Sequence, residues 1–290
     1  MKITPSRITL IASFTFLLGV GGGYVLGSGG QEPTATAGDQ GLFGPFALPV
    51  TYGDLGPRLL AVGAISYERL AGALSRSSTP LTYAQTKVLR EASSEPIVIG
   101  RANGRFLLDF FWALGLANRN AILTEGPMVR RSGGQIERFA STGGWRLGAK
   151  PVTELYAATP LVTLTPGQQA RLERVASGVY RPCCDNPALF PDCNHGMAML
   201  GMLTLLASQD AGEDEMFAAA KYANTVWFPE EYQNLAVFLS STEGVEFRDV
   251  DAETLVGAKT SSRAAYEPVR AYLAAQGPLD LPPDGGVSAC

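Results

Sequence analysis

At 290 residues the chain is long enough for one or two domains with a substantial buried core. Hydrophobic residues make up 46% and charged residues 17%, an apolar balance that stops short of a membrane protein throughout. The net charge of −4, with no basic cluster beyond the pair Arg130–Arg131, argues against a nucleic-acid backbone as the main partner, because phosphate binding needs a basic surface.

Part of the apolar excess is N-terminal. Lys2 and Arg7 precede ITLIASFTFLLGVGGGYVLG, and no charge falls between Ile8 and Gln31. Crossing a hydrocarbon core takes roughly 20 residues of helix, and lipid tolerates glycines such as Gly19 and Gly21–Gly23. The basic flank precedes the span and Glu32 follows it, so the positive-inside rule places residues beyond 30 on the extracytoplasmic (periplasmic or extracellular) side of the cell membrane. A cleavage site at Ala35-Thr36-Ala37 is the competing reading. That triplet lies well past the apolar run, which favours a retained signal anchor, a single-pass transmembrane helix over residues 1–27. No cysteine follows the run closely, so a lipoprotein anchor is excluded.

Residues 28–42 are Gly-, Ser- and Thr-rich and read as a flexible linker. Residues 43–277 then carry mostly helical periodicity, so the expected fold is mainly α: a helical extracytoplasmic domain of about seven to nine helices with a small β-hairpin. PRLLAVGAISYERLAGAL, from Pro57, reads as one helix, and LTYAQTKVLREAS as the next, capped by Thr82. RFLLDFFWALGLA, Arg105 to Ala117, is apolar on nearly every side but carries Asp109 and is too short to span, so it reads as a buried core helix. QIERFASTGGWRLG looks like the hairpin, turning at Gly143–Gly144.

Helix returns at LTPGQQARLERVASGVY, with Thr165 as cap and Pro166 in the first turn. The spacing of Leu81, Thr82, Gln85 and Leu89 recurs in Leu164, Thr165, Gln168 and Leu172, a weak internal echo. Three further helices follow from Gly196, Glu213 and Glu230, then an extended VEFRDV, a helix near Ser262 to Ala275, and a loose tail at 278–290.

The chemistry is concentrated in CCDNPALFPDCNHGMAM. Cys183, Cys184 and Cys193, three of four cysteines, are followed by His195, the chain's only histidine. Pro182, Pro187 and Pro191 stiffen the loop, and Asp192 or Asn194 is placed to cap the helix after it. Three thiolates and one imidazole form a complete tetrahedral donor set, although Cys-Cys-x8-Cys-x-His is unlike the usual zinc spacings. His195, Met199 and Met202 share a helical face; a thioether beside thiolates makes a soft donor set suited to copper(I) as well as zinc, with Met199 as an additional ligand. Ordinary core packing accounts for the same methionines.

Three readings stand side by side. The first is a thiophilic metal site, copper or zinc, serving metal handling or electron transfer. The second is a disulfide-stapled helical interaction module, with Cys290 as the fourth thiol, presented to a protein partner at the membrane. The third is thiol redox chemistry at the vicinal pair. A Ser-His-Asp triad would have to use His195 and lacks a G-x-S-x-G elbow, and residues two apart at a helix start point different ways, which disfavours a Cys193–His195 nucleophile pair.

Overall fold

A computed structural model describes residues 44–276. The predicted anchor, linker and tail, with Cys290, lie outside the described residues. Among the described residues no helix is long and apolar enough to cross a membrane.

The domain is mainly helical. Its longer helices are α1 (Leu55–Ala61), α2 (Tyr67–Arg76), α3 (Tyr83–Arg90), α4 (Gly104–Ala117), α5 (Pro166–Gly178), α6 (Asn194–Ser208), α7 (Glu213–Trp227), α8 (Pro229–Glu243) and α9 (Arg263–Gln276). Short helical turns join them. Several starts follow directly from sequence. Thr82 with Gln85, and Thr165 with Gln168, each form a capping box, in which the Thr hydroxyl accepts from the Gln backbone and the Gln side chain accepts in return. The internal echo is therefore a shared device for starting a helix. Pro229 sits at the first position of α8, where its missing N–H costs nothing.

The small sheet exists, but not where the glycine pairs suggested. β1 (Phe46–Gly53) and β2 (Ser93–Ile99) pair antiparallel, with Phe46 opposite Ile99 and Gly53 opposite Ser93, and α1 to α3 lie between them in sequence. Leu48, Val50 and Tyr52 alternate into the core, as do Ile97 and Ile99. Residues 136–143 instead form two short helical turns. A Cβ at Gly143 would lie 2.0 Å from the Glu137 carbonyl oxygen, so that glycine serves close backbone packing and not a hairpin. Trp112 Nε1 donates to Ser141 O, and Trp145 Nε1 donates to Ala64 O, which fixes these turns to the core.

Two further expectations also change. The segment from Pro57 is split into α1 and α2, because Gly63 takes a left-handed φ of 80° and Ser66 begins a new helix as its N-cap. VEFRDV is not extended; Phe247–Asp249 is a 3-10 turn. The buried Lys221 ammonium explains it, donating to the carbonyls of Phe247, Arg248 and Val250, which the turn wraps around it.

The centre of the domain is the crossing of α4 and α6. Every residue from Phe106 to Ala117 and from His195 to Ala207 is buried. Gly115 and Gly201 let the two backbones touch, since a Cβ at Gly201 would sit 2.2 Å from Phe111 O. This contact fixes where the first turn of α6, and hence the loop before it, stands.

Asp109 is the conspicuous polar group on α4. Its Oδ2 accepts from Arg105 Nε at 3.1 Å, and its buried Oδ1 has no hydrogen-bond partner among the described residues. Burial pushes its carboxyl up to about 6, with the Arg105 charge and hydrogen bond pulling the other way. A carboxyl that ionises later in the folded than in the unfolded chain contributes stability at low pH, and this contribution falls away as pH rises from the ordinary carboxylate range to about 6. Asp109→Asn is therefore expected to stabilise the fold by about 1–2 kcal/mol more at pH 7.5 than at pH 5, measured by denaturant unfolding at both. An increment independent of pH would contradict this.

Candidate metal centre

The cysteine loop runs from the end of α5 into α6 and is tied down at both ends. Leu189 N donates to Ala176 O and Ala188 N to Val179 O, holding the loop against α5. Cys184 N donates back to Arg181 O, closing a tight turn that carries both adjacent cysteines. Asp185 fastens that turn to the start of α9, accepting from Ala264 N at 2.7 Å and from Arg263 Nη2 at 2.9 Å.

The turn brings the three sulfurs together. Cys183 Sγ lies 3.5 Å from Cys184 Sγ and 3.7 Å from Cys193 Sγ, and Cys184 Sγ lies 3.6 Å from Cys193 Sγ. A disulfide needs about 2.05 Å, so these sulfurs are grouped but not bonded to one another. Cys183, Cys193 and His195 present ligand atoms within 4.8 Å of one another, and so do Cys184, Asp192 and Cys193. The Cys/Cys/Cys/His cluster is thus close-set and could bind a metal ion.

Cys193 has a role that the sequence rules assigned elsewhere. Asp192 and Asn194 were the expected caps, but Cys193 is the N-cap of α6, and its sulfur accepts from Gly196 N at 3.4 Å. Its backbone is extended (φ −117°, ψ 167°) and not helical. For this reason its sulfur and the His195 ring can approach despite being two residues apart. His195 is fully buried, with its ring centroid 4.4 Å from that of Phe228 and 6.4 Å from that of Trp227. Cys183 and Cys184 are only half-buried, so the cluster reaches from the core to the surface. Met199, one turn further along α6, is buried within the apolar core.

The residue that sequence reasoning missed is Arg181. Its side chain is 1% exposed and its donors are spread over the loop: Nε to Cys193 Sγ at 3.1 Å, Nη1 to Asn186 O at 3.0 Å, and Nη2 to Asn186 Oδ1 at 3.0 Å and Asp192 Oδ1 at 2.9 Å. Burial works against its charge, yet the neighbouring Cys193, Cys184 and Cys183 and the hydrogen bond to Cys193 outweigh that and raise its pKa further above the ordinary arginine value. Gly196 is the one local sign in the sequence, because a Cβ there would meet Arg181 Nη2 at 2.6 Å.

Arg181 also separates the two candidate ligand sets. Asp192 already gives one oxygen to the guanidinium and the other to Asn186 Nδ2 at 2.9 Å. A cation on that side would stand against a fixed positive charge, so His195 is the better fourth donor. Cys184 is held up at about 12: its hydrogen bond with Cys183 lowers it, but donation to Cys193, burial and the Cys193 charge outweigh that and the pull of Arg181. Cys184 is therefore a thiol near neutral pH when no ion is present, and coordination has to release its proton.

Comparison of the chain with protein-family models, curated proteins and solved structures gave no match.

Proposed function

We propose that the chain binds one thiophilic transition-metal ion, copper or zinc, through Cys183, Cys184, Cys193 and His195, and acts in metal handling or electron transfer. The helical domain would be held at the extracytoplasmic face of the cell membrane by the apolar segment before residue 28. The observation that carries the metal reading is the triangle of sulfurs 3.5–3.7 Å on a side with an imidazole beside it. Disulfide staples would leave two sulfurs at bonding distance and give the histidine no part. The half-buried Cys183 and Cys184 support handling, since an ion can enter or leave there without opening the core.

Elemental analysis of protein purified anaerobically should find close to one ion per chain. Cys193→Ser is the decisive variant, because serine also caps helices and should leave α6 in place while removing the central sulfur. Most of the bound metal should be lost in this variant; an unchanged stoichiometry removes the site. Counting thiols in the denatured, metal-free chain separates the alternatives, since the stapled module and the oxidised vicinal pair both predict missing thiols and no metal.

A further inference from the structure

We infer, resting on that reading, that the site is built for a divalent ion in tetrahedral Cys3His coordination, zinc or a zinc-like ion, and that Arg181 is the residue that fits it to that charge. Two independent features point there, one of shape and one of charge.

The shape is the size of the sulfur triangle. Sides of 3.5, 3.6 and 3.7 Å place an ion at the triangle's centre about 2.1 Å from each sulfur, inside the ~2.3 Å of a zinc–thiolate bond. A flat three-coordinate site of the kind copper(I) favours needs a wider triangle. At ~2.3 Å from all three sulfurs the ion stands about 1 Å out of their plane, close to its place above one face of a tetrahedron, whose edges would be about 3.8 Å. Such an ion needs an apical donor. His195, within 4.8 Å of both Cys183 and Cys193 through a ring nitrogen, is the donor that we assign to that place.

The charge of the cluster favours the same ion. Three thiolates around a divalent ion leave one net negative charge, and around a monovalent ion two. The buried guanidinium donates directly to Cys193 but is also paired with Asp192 at 2.9 Å, so it has little charge to spare and suits the less negative, divalent cluster. Its place is reserved by the absence of a side chain at Gly196. Binding releases the thiol protons to solvent and involves no change in oxidation state.

The test uses the full-length chain in detergent, reduced, metal-free and anaerobic, titrated with cobalt(II) as the probe ion. One equivalent should bind with the intense visible bands of tetrahedral thiolate cobalt, and one equivalent of zinc should displace it. His195→Ala should weaken zinc binding at least tenfold, and Arg181→Met by about 10–100-fold, the usual range for groups behind a ligand. Arg181→Lys should recover part of that loss, which a purely structural arginine would not show. Weakly coloured six-coordinate cobalt, copper as the co-purifying metal, or zinc affinity indifferent to His195 overturns the inference while leaving a metal site standing. Failure of cobalt, zinc and cuprous ion alike to bind the reduced thiols overturns both. The cobalt spectrum of the unaltered chain needs no variant, so a failure of Arg181→Met to fold leaves the geometry decided.

Discussion

Gly201→Ala is expected to leave the chain unable to hold its native fold at 37 °C, and Gly115→Ala the same. At Gly201 the new methyl would meet Phe111 O at 2.2 Å and Gly115 N at 2.7 Å; at Gly115 it would meet Met197 O at 2.1 Å. All of these are backbone atoms of the opposite helix, so no side chain can swing aside, and α4 and α6 must separate along their most buried contact. Overpacking that side chains can relieve costs about 1–3 kcal/mol; one that parts two core helices belongs in the range above about 4 kcal/mol, a large share of a domain's 5–15 kcal/mol. Gly167→Ala in α5 is the matched control. Nothing lies within 4 Å of its Cβ position, so it should be neutral or slightly stabilising. Soluble yield and circular dichroism of the three variants check the expectation, and native-like Gly201→Ala would show that the crossing is looser than described.

Removing the bound ion is the second large effect. On the proposed reading the ion joins the turn at Cys183–Cys184 to the first turn of the buried helix α6. A ligand present at a thousand times its dissociation constant adds about 4 kcal/mol of stability. For a domain of this size that corresponds to a melting temperature lower by on the order of 10 °C once a chelator is added. The measurement is made with reductant throughout, and Cys193→Ser should melt at the chelated value whether or not chelator is present. Acidification should mimic the chelator, because protons compete for sulfurs that must be bare to coordinate. A midpoint indifferent to chelator but lowered by reductant would instead mark a stapled loop.

Much of the helical framework was legible because its signals are local. Thr82, Thr165 and Pro166 mark helix starts within four residues of themselves, and the unbroken apolar run around Phe110 and Phe111 can only be satisfied by burial. The strands were not legible. Their alternation at Leu48, Val50 and Tyr52 is interrupted by Pro49, Pro96 interrupts the partner strand, and three helices lie between them. The glycines at 143 and 144 mimicked a turn because close packing and tight turning draw on the same freedom. At the site, the donor types and their order could be read, but two facts could not. Nothing in the usual N-cap preferences for Ser, Thr, Asp and Asn nominates a cysteine. An arginine is by composition a surface residue, and Arg181 is buried only because Asn186, Asp192 and Cys193 fold around it.

One sulfur, that of Cys193, both starts a helix and belongs to the cluster. Loop and scaffold are consequently not interchangeable parts. Inserting or deleting a single residue between Asp192 and Gly196 would rotate that atom off the helix axis, so the first turn and the donor set would fail together. The segment therefore tolerates exchange of side chains far better than a change of length, and it could be moved to another protein only with its helix attached.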